Sequence, residues 1–299
     1  MKVLAALVTS NRCQLLERCI KHLKLQTKEP YEILVVNNGS TDNTEFFLKK
    51  NNIKFINQNN LGSAGGWHTA IDYAIKNNFE YIWLMDDDGY PEKYALEKLI
   101  KNFKKDYSCI SSIVIDEKDH TKLVFPMPLN IKKNIFNINI PFIKLRDYNF
   151  FKRYNIKFYN FCHLFNGALL RISDLKNIGN VNKEYFLYGD EVDYYYRLNK
   201  IGKLMTLVNC HHFHPQRAKS FISTNWVFYS LKNGIINNFK YRLFPNFYNL
   251  TIIIITLLRI LYRNGYKDLL SYLFGNKSKY YYTAIILGYK KSIGKNKPK

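Results

Sequence analysis

The chain has 299 residues, an apolar fraction of 47% and 45 Lys+Arg against 23 Asp+Glu, giving a formal net charge of +22. That apolar content, with only 14 Gly and 8 Pro, excludes a disordered or collagen-like chain, and the length predicts one large domain or two small ones. The five cysteines (Cys13, Cys19, Cys109, Cys162 and Cys210) are scattered and lack CxxC spacing, which excludes a disulfide framework or a Cys-based zinc site and points to a reducing cytoplasm.

Residues 2–8 predict a buried first strand, since the apolar run is too short for a signal peptide. Residues 12–25 carry Leu15, Leu16, Cys19, Ile20 and Leu23 at helical spacing, with Asn11 as the expected N-cap. Strands follow at 31–36, 53–57 and 81–85, and helices at 41–50 and 66–77. This alternation predicts an α/β fold with a mostly parallel sheet and right-handed crossovers. In such sheets ligands bind beyond the carboxyl ends of the strands, which gathers residues 9–12, 37–42 and 86–88 at one edge. Residues 116–157 read as a loop-rich insertion over the substrate side. Order returns at 161–172 and 184–200, and after Pro215 the chain reads as a helical appendage. The longest candidate stretch, residues 250–258, is about half of the ~18 residues an ordinary spanning helix needs, so none is expected.

Five motifs carry the chemistry. Met85-Asp86-Asp87-Asp88-Gly89 sets three carboxylates directly after an apolar strand, where their repulsion is costly unless a cation neutralises them. Such oxygens suit Mg²⁺ or Mn²⁺. Asp86 and Asp88 share a side of an extended backbone, so these two are expected nearest the metal or sugar. The turn Asn37-Asn38-Gly39-Ser40-Thr41-Asp42 can bond a base or ribose, or simply turn the chain. The glycines of Asn60-Leu61-Gly62-Ser63-Ala64-Gly65-Gly66 let backbone amides approach a ligand such as a diphosphate, without forming a Walker pattern. Gly189-Asp190-Glu191-Val192-Asp193 begins a helix, whose N-terminus favours acids for capping alone, yet a carboxylate there also suits deprotonation of a sugar hydroxyl. Finally, Cys210-His211-His212-Phe213-His214 places His212 and His214 on one face of a strand, as metal ligands.

The charge is uneven. Residues 200–299 hold 17 Lys+Arg and one acid, Asp268, which points to a polyanionic surface as partner. Basic residues flank the apolar stretch around Leu250, which suits an interfacial helix on an anionic membrane, or a buried core helix with snorkelling arginines. No nucleic-acid-binding signature is present.

Together these motifs resemble the family 2 glycosyltransferases, which have the GT-A fold. The resemblance covers residues 1–219 and rests on Val8-Thr9-Ser10-Asn11-Arg12, Val36-Asn37-Asn38-Gly39-Ser40-Thr41-Asp42, Leu84-Met85-Asp86-Asp87-Asp88 and Gly189-Asp190-Glu191-Val192-Asp193. The glycine loop and the triple Asp look most like the galactofuranosyltransferase and rhamnosyltransferase branch. The resemblance implies an inverting, metal-dependent enzyme of surface polysaccharide synthesis. Its donor would be a nucleotide-diphosphate sugar, UDP-galactofuranose or dTDP-rhamnose, and its acceptor a glycan or lipid-linked glycan. It maps the divalent cation (Mn or Mg) onto Asp86 and Asp88 with a histidine, His214 ahead of His212. The catalytic base maps onto Glu191, with Asp190 in reserve. Donor contacts are expected from Thr9, Asn11, Arg12, Asn37, Asn38, Gly65, Gly66, Asp86 and Asp87. Residues 220–299 are expected to form a separate basic region holding the enzyme peripherally on the inner face of the cell membrane. Two alternatives are a basic nucleic-acid-binding module and an inactive scaffold of the same fold. The first leaves the acidic and histidine motifs unexplained.

Overall fold

A computed structural model describes residues 1–129, 144–216 and 221–298. The expected boundary at 219/220 and the middle of the 116–157 segment lie outside the described residues.

The first four strands and three helices alternate: β1 (Val3–Thr9), α1 (Cys13–Lys24), β2 (Glu32–Asn38), α2 (Thr44–Lys50), β3 (Lys54–Gln58), α3 (Gly62–Lys76) and β4 (Tyr81–Asp86). Next come β5 (Tyr90–Pro91), α4 (Ala95–Asn102), β6 (Tyr107–Asp116), β7 (Lys122–Pro128), β8 (Lys144–Asp147), α5 (Asn149–Arg153), β9 (Phe158–Tyr159), β10 (Asn166–Arg171) and α6 (Ile172–Ile178). After these run α7 (Asp190–Asn199), β11 (Lys203–His214) and four helices: α8 (Thr224–Tyr241), α9 (Pro245–Asn264), α10 (Tyr266–Leu273) and α11 (Ser278–Tyr289). The segment expected to be loop-rich therefore contains β7, β8 and α5.

The sheet order is β3-β2-β1-β4-β10-β6-β11-β5. The strands from β3 to β4 are parallel, β10 runs antiparallel to both β4 and β6, and β6 pairs parallel with β11. The sheet is thus mixed at its centre. Its central strands are apolar on both faces, as strands covered on both sides must be. Every residue of β6 is buried. Along β1, Val3, Ala5 and Leu7 face one core with Leu16, Cys19 and Leu23 of α1 and Leu96 and Leu99 of α4. Leu4 and Ala6 are equally buried on the other face.

The chain forms two compact units. One comprises Met1–Asn60, Thr69–Asn180 and Arg197–Gln216, and the other Leu61–His68, Val181–Tyr196 and Arg217–Lys299. The unit holding the C-terminal helices thus also takes in two earlier segments. Its own core joins Phe228, Leu231 and Ile235 of α8 to Ile260 of α9, Tyr272 of α10 and Ala284 of α11. The Ser223 hydroxyl caps α8 by accepting from the Trp226 amide at 3.2 Å. By length and composition α9 could cross a membrane, contrary to the sequence expectation. Thr251, Thr256 and Arg259 interrupt its apolar run without making the helix polar on average.

Leu84, fully buried in β4 between β1 and β10, tests the sheet core. Leu84→Ala is expected to cost ~2–5 kcal/mol in denaturant unfolding. A loss under ~1 kcal/mol would contradict tight packing at this position.

Candidate active site

In the first unit, the pairing of Val8 with Asp86 sets the acidic turn after β4 beside the turn after β1. The Thr9 hydroxyl donates to Asp87 Oδ2 at 2.6 Å, and Arg12 Nη1 donates to Asp87 Oδ1 and Asp88 Oδ2, both at 3.0 Å. Asp87 is 2% exposed. Burial pushes its carboxyl above the ordinary range, against the opposing pull of Arg12 and Thr9. Thr9 and Asp87, both expected as donor contacts, therefore spend these polar atoms within the protein and tie the two turns together. From α1, Arg18 Nη2 donates to the Asp88 carbonyl and Nη1 to Glu117, both at 2.7 Å, while the guanidinium lies over the Tyr90 ring. The sequence reading missed Arg18. A lone arginine on an amphipathic helix carries no local sign that it turns inward.

The adjoining turns are bonded to one another. Asn11 Oδ1 accepts from the Thr41 amide at 2.7 Å, and the Asn11 amide donates to Ser40 Oγ. Asn11 is therefore not the side-chain cap of α1. Its φ of +56° turns it toward Thr41, and Asp42 Oδ2 accepts from the Cys13 amide instead, at 3.1 Å. Asn37 Nδ2 donates to Asn57 Oδ1 at 2.8 Å, while Gln58 Nε2 donates to Asn38 Oδ1 at 2.9 Å.

β11 delivers three histidines with different surroundings. His211 Nε2 meets the Tyr148 hydroxyl at 2.8 Å and its Nδ1 meets Glu92 at 3.3 Å, a structural pairing. His212 is fully buried, and neither ring nitrogen has a hydrogen-bond partner among the described residues. A Cβ on Gly89 would lie 2.3 Å from its Nε2, and one on Gly167 would lie 3.1 Å from its Nδ1. Burial drives its pKa down to about 3, so the ring is neutral. His214, 3% exposed, brings Nε2 within 3.0 Å of Asp88 Oδ1.

The donor chemistry around His214 fits a divalent cation. Its Nδ1 lies 2.6 Å from the Pro215 carbonyl, which only accepts, so Nδ1 carries the proton. Nε2 faces Asp88 Oδ1, donating to it while protonated and free to act as a ligand once a cation takes the place of that proton. An imidazole nitrogen 3.0 Å from a carboxylate oxygen, with the far nitrogen held by a carbonyl, is compatible with two ligands of one divalent cation. Burial raises the Asp88 carboxyl, but His214 and Arg12 outweigh it and bring its pKa to about 2. It is ionised at neutral pH. No three His, Cys, Asp or Glu side chains converge as a ready-made metal site among the described residues. Arg12 on Asp88 Oδ2 supplies part of the positive charge there.

The second unit holds Gly65, Gly66, Asp190 and Glu191. Gly62 opens α3 at φ +71°, and a Cβ there would lie 1.9 Å from the Phe186 carbonyl. The chain leading to α7 takes left-handed values at Phe186, Tyr188 and Gly189. This turn is stapled by α8. Asn233 Nδ2 lies 2.8–3.0 Å from the carbonyls of Tyr185, Leu187 and Tyr188, and Asn237 Nδ2 donates to the Gly189 carbonyl at 2.8 Å. Asp193 Oδ1 accepts from the Tyr241 hydroxyl at 2.8 Å and from Lys240 at 3.1 Å. Its charge is compensated in place. Asp190 is 4% exposed, and its Oδ2 has no hydrogen-bond partner among the described residues. Burial first, and the Glu191 charge second, raise its pKa to about 7. Asn233 and Asn237 also escaped the sequence reading. Their signal was two amides four residues apart, which share one face of a helix.

Solved structures share this architecture. S. aureus TarS 1-349 in complex with UDP-GlcNAc aligns with a TM-score of 0.59 at 14% identity, covering 96% of this chain and 81% of that one. The mannosyltransferase PcManGT from Pyrobaculum calidifontis, in complex with GDP-Man and Mn²⁺, aligns with a TM-score of 0.54 at 14% identity, over 97% and 86%. These place the chain in the GT-A glycosyltransferase fold. The family model for glycosyl transferase family 2 matches residues 5–179, and the chain belongs to that family. The galactofuranosyltransferase GlfT1 of Mycobacterium tuberculosis is 27% identical over 236 residues, 73% of this chain and 72% of that one. A glycosyltransferase of Mycoplasma genitalium, MG025, is 26% identical over 197 residues, 56% and 61%. The protein is a glycosyltransferase.

The buried Asp190 carboxyl makes stability depend on pH. In the folded chain it keeps its proton from its ordinary value of 3.8 up to about 7, so folded stability falls as pH rises through that window. Asp190→Asn removes this penalty. The variant should gain a few kcal/mol over wild type between pH ~4 and ~7, with no further gain above. Melting curves whose difference stays constant from pH 4 to 8 would refute the raised pKa.

Proposed function

We propose that this glycosyltransferase moves galactofuranose from UDP-galactofuranose to a glycan acceptor, with inversion at the anomeric carbon. dTDP-rhamnose is the second donor to test. The galactofuranosyltransferase relatives support the sugar class. The single observation that carries the mechanism is the meeting of Asp88 with His214 at 3.0 Å at the tip of β4. The acceptor in this reading is a glycan or lipid-linked glycan of surface polysaccharide synthesis, reached from the cytoplasmic face of the cell membrane.

Asp88 and His214, together with oxygens of the donor, would hold Mn²⁺ or Mg²⁺, and the bound cation would neutralise charge on the departing nucleotide diphosphate. Arg12, half exposed and anchored on Asp87 and Asp88, offers its remaining donors to a phosphate oxygen. The turns around Asn11, Asn37 and Asn38 form a firm floor for base and ribose. Gly65 and Gly66 lie inside α3, where their amides bond carbonyls one turn back, so their part in this reading is to leave that turn without side chains. Glu191 takes the proton from the acceptor hydroxyl as its oxygen attacks the anomeric carbon from the face opposite the nucleotide. The elevated pKa of Asp190 keeps that neighbour partly neutral near pH 7, which limits repulsion beside the base.

Glu191→Gln should lower kcat by ~10²–10⁴ while leaving donor-induced thermal stabilisation nearly intact. Wild-type turnover in this variant would reject Glu191 as the base. Asp88→Asn should abolish the part of donor-induced stabilisation that EDTA removes from the wild type. A wild-type enzyme whose donor binding and turnover ignore EDTA would reject the metal.

A further inference from the structure

Helix α9 is apolar on two opposite sides. One side, with Asn249, Thr256 and Ile260, is buried. On the other, Phe247, Leu250, Ile254, Leu258, Leu261 and Tyr262 are each 42–79% exposed. At ~100° per residue these six fall within an arc of about 120°, along a helix ~30 Å long. Single exposed apolar side chains are ordinary, but a line running the length of a helix marks an interaction surface. Exposed Tyr266 and Leu270 of α10 and Phe274 just past its end, four residues apart, add further apolar surface.

The charge around this face has one sign. Arg259 and Arg263, on the flank of α9 away from the arc, and Lys267 of α10 are exposed, and Asp268, the one acid after residue 200, is occupied by Lys277 and Asn264. An apolar arc with aromatic rings toward its ends, in a unit whose charge is almost wholly positive, complements an anionic lipid surface. A second protein would need its own acidic and apolar patch of the same elongated shape. A copy of this chain offers in this region only Asp268, already held by Lys277 and Asn264, to meet these cations.

The contacts behind α9 decide between lying on the bilayer and crossing it. Asn238 Nδ2 of α8 donates to Asn249 Oδ1 of α9 at 3.0 Å, and elsewhere in the same unit buried Lys232 of α8 donates to the Gly294 carbonyl at 2.6 Å. Crossing would carry these polar groups into hydrocarbon or strip α9 from its core, and both are costly. Lying in the plane covers only the exposed arc.

We infer that the exposed arc of α9, with the further apolar surface of α10, is a docking face that beds the C-terminal unit into the headgroup layer of an anionic phospholipid bilayer. This deepens the membrane-peripheral location proposed above. It does not depend on donor or base chemistry, so its failure leaves the Glu191 test standing, and the reverse holds too.

The test is flotation of the full-length protein with phosphatidylcholine vesicles, with and without about one-third phosphatidylglycerol, at low and moderate salt. Wild type should bind the anionic vesicles preferentially, lose part of that binding with salt, and be released by alkaline carbonate. Leu250→Gln, Ile254→Gln and Leu258→Gln together should weaken binding roughly tenfold or more with an unchanged melting transition. Arg259→Gln with Arg263→Gln should lose mainly the phosphatidylglycerol-dependent part. If the triple variant unfolds, Ile254→Asp alone is read in its place. Equal binding by the folded apolar variant, absence of wild-type binding to either vesicle, or resistance to carbonate would overturn the inference. So would a wild-type dimer in solution that the apolar substitutions dissociate.

Discussion

The tip of β4 is organised by the neutralisation of adjacent carboxylates. Asp87 and Asp88 follow an apolar strand directly, and Asp87 is nearly out of water. Two uncompensated charges there would be expensive. Arg12 bridges both, Thr9 satisfies the inner one, His214 approaches the outer one, and Arg18 holds the Asp88 backbone. These partners come from the β1–α1 turn, from α1 and from the end of β11. The ends of β1, β4 and β11, far apart in sequence, are thereby drawn to one point. The exposed half of Arg12 weakens its contribution through solvent screening, so the more enclosed Asp88–His214 approach matters more to the local electrostatics.

In the other unit the organising force is amide bonding to backbone. A turn with left-handed values at Phe186 and Tyr188 is an unfavourable conformation for side-chain-bearing residues. Asn233 and Asn237 repay that cost by satisfying its carbonyls from one face of α8. The turn leads directly into Asp190 and Glu191, so α8 fixes the position of the carboxyl pair within its unit. The C-terminal helices are in this sense part of the apparatus around α7 rather than a detached tail.

The early part of the fold was readable because each strand is a short apolar run and each helix shows apolar residues at 3.6 spacing. Strand ends shifted by one or two residues, as at Asn37 and Asn38, where polar side chains continue β2. The insertion of antiparallel β10 between β4 and β6 was not readable, because strand order depends on long-range pairing that no local pattern records. The acidic and histidine motifs stood out through residue type alone. Which histidine meets Asp88 did not, since alternation puts His212 and His214 on the same face, and the distinction lies in what each ring touches. Arg18, Asn233 and Asn237 act on backbone carbonyls from distant helices, so their importance appears only when the chain is folded.

His212 has a size relation with Gly89 and Gly167 that constrains how this corner can vary. The ring fills the space that two side chains would otherwise occupy, one from the turn after the acidic residues and one from β10. Enlarging Gly89 demands a smaller residue at 212, whereas Gly167, at φ +84°, resists a side chain whatever stands at 212, and shrinking residue 212 leaves a cavity between two bare backbones. Positions 89 and 212 therefore share one volume, and a viable replacement at 89 requires a compensating change at 212.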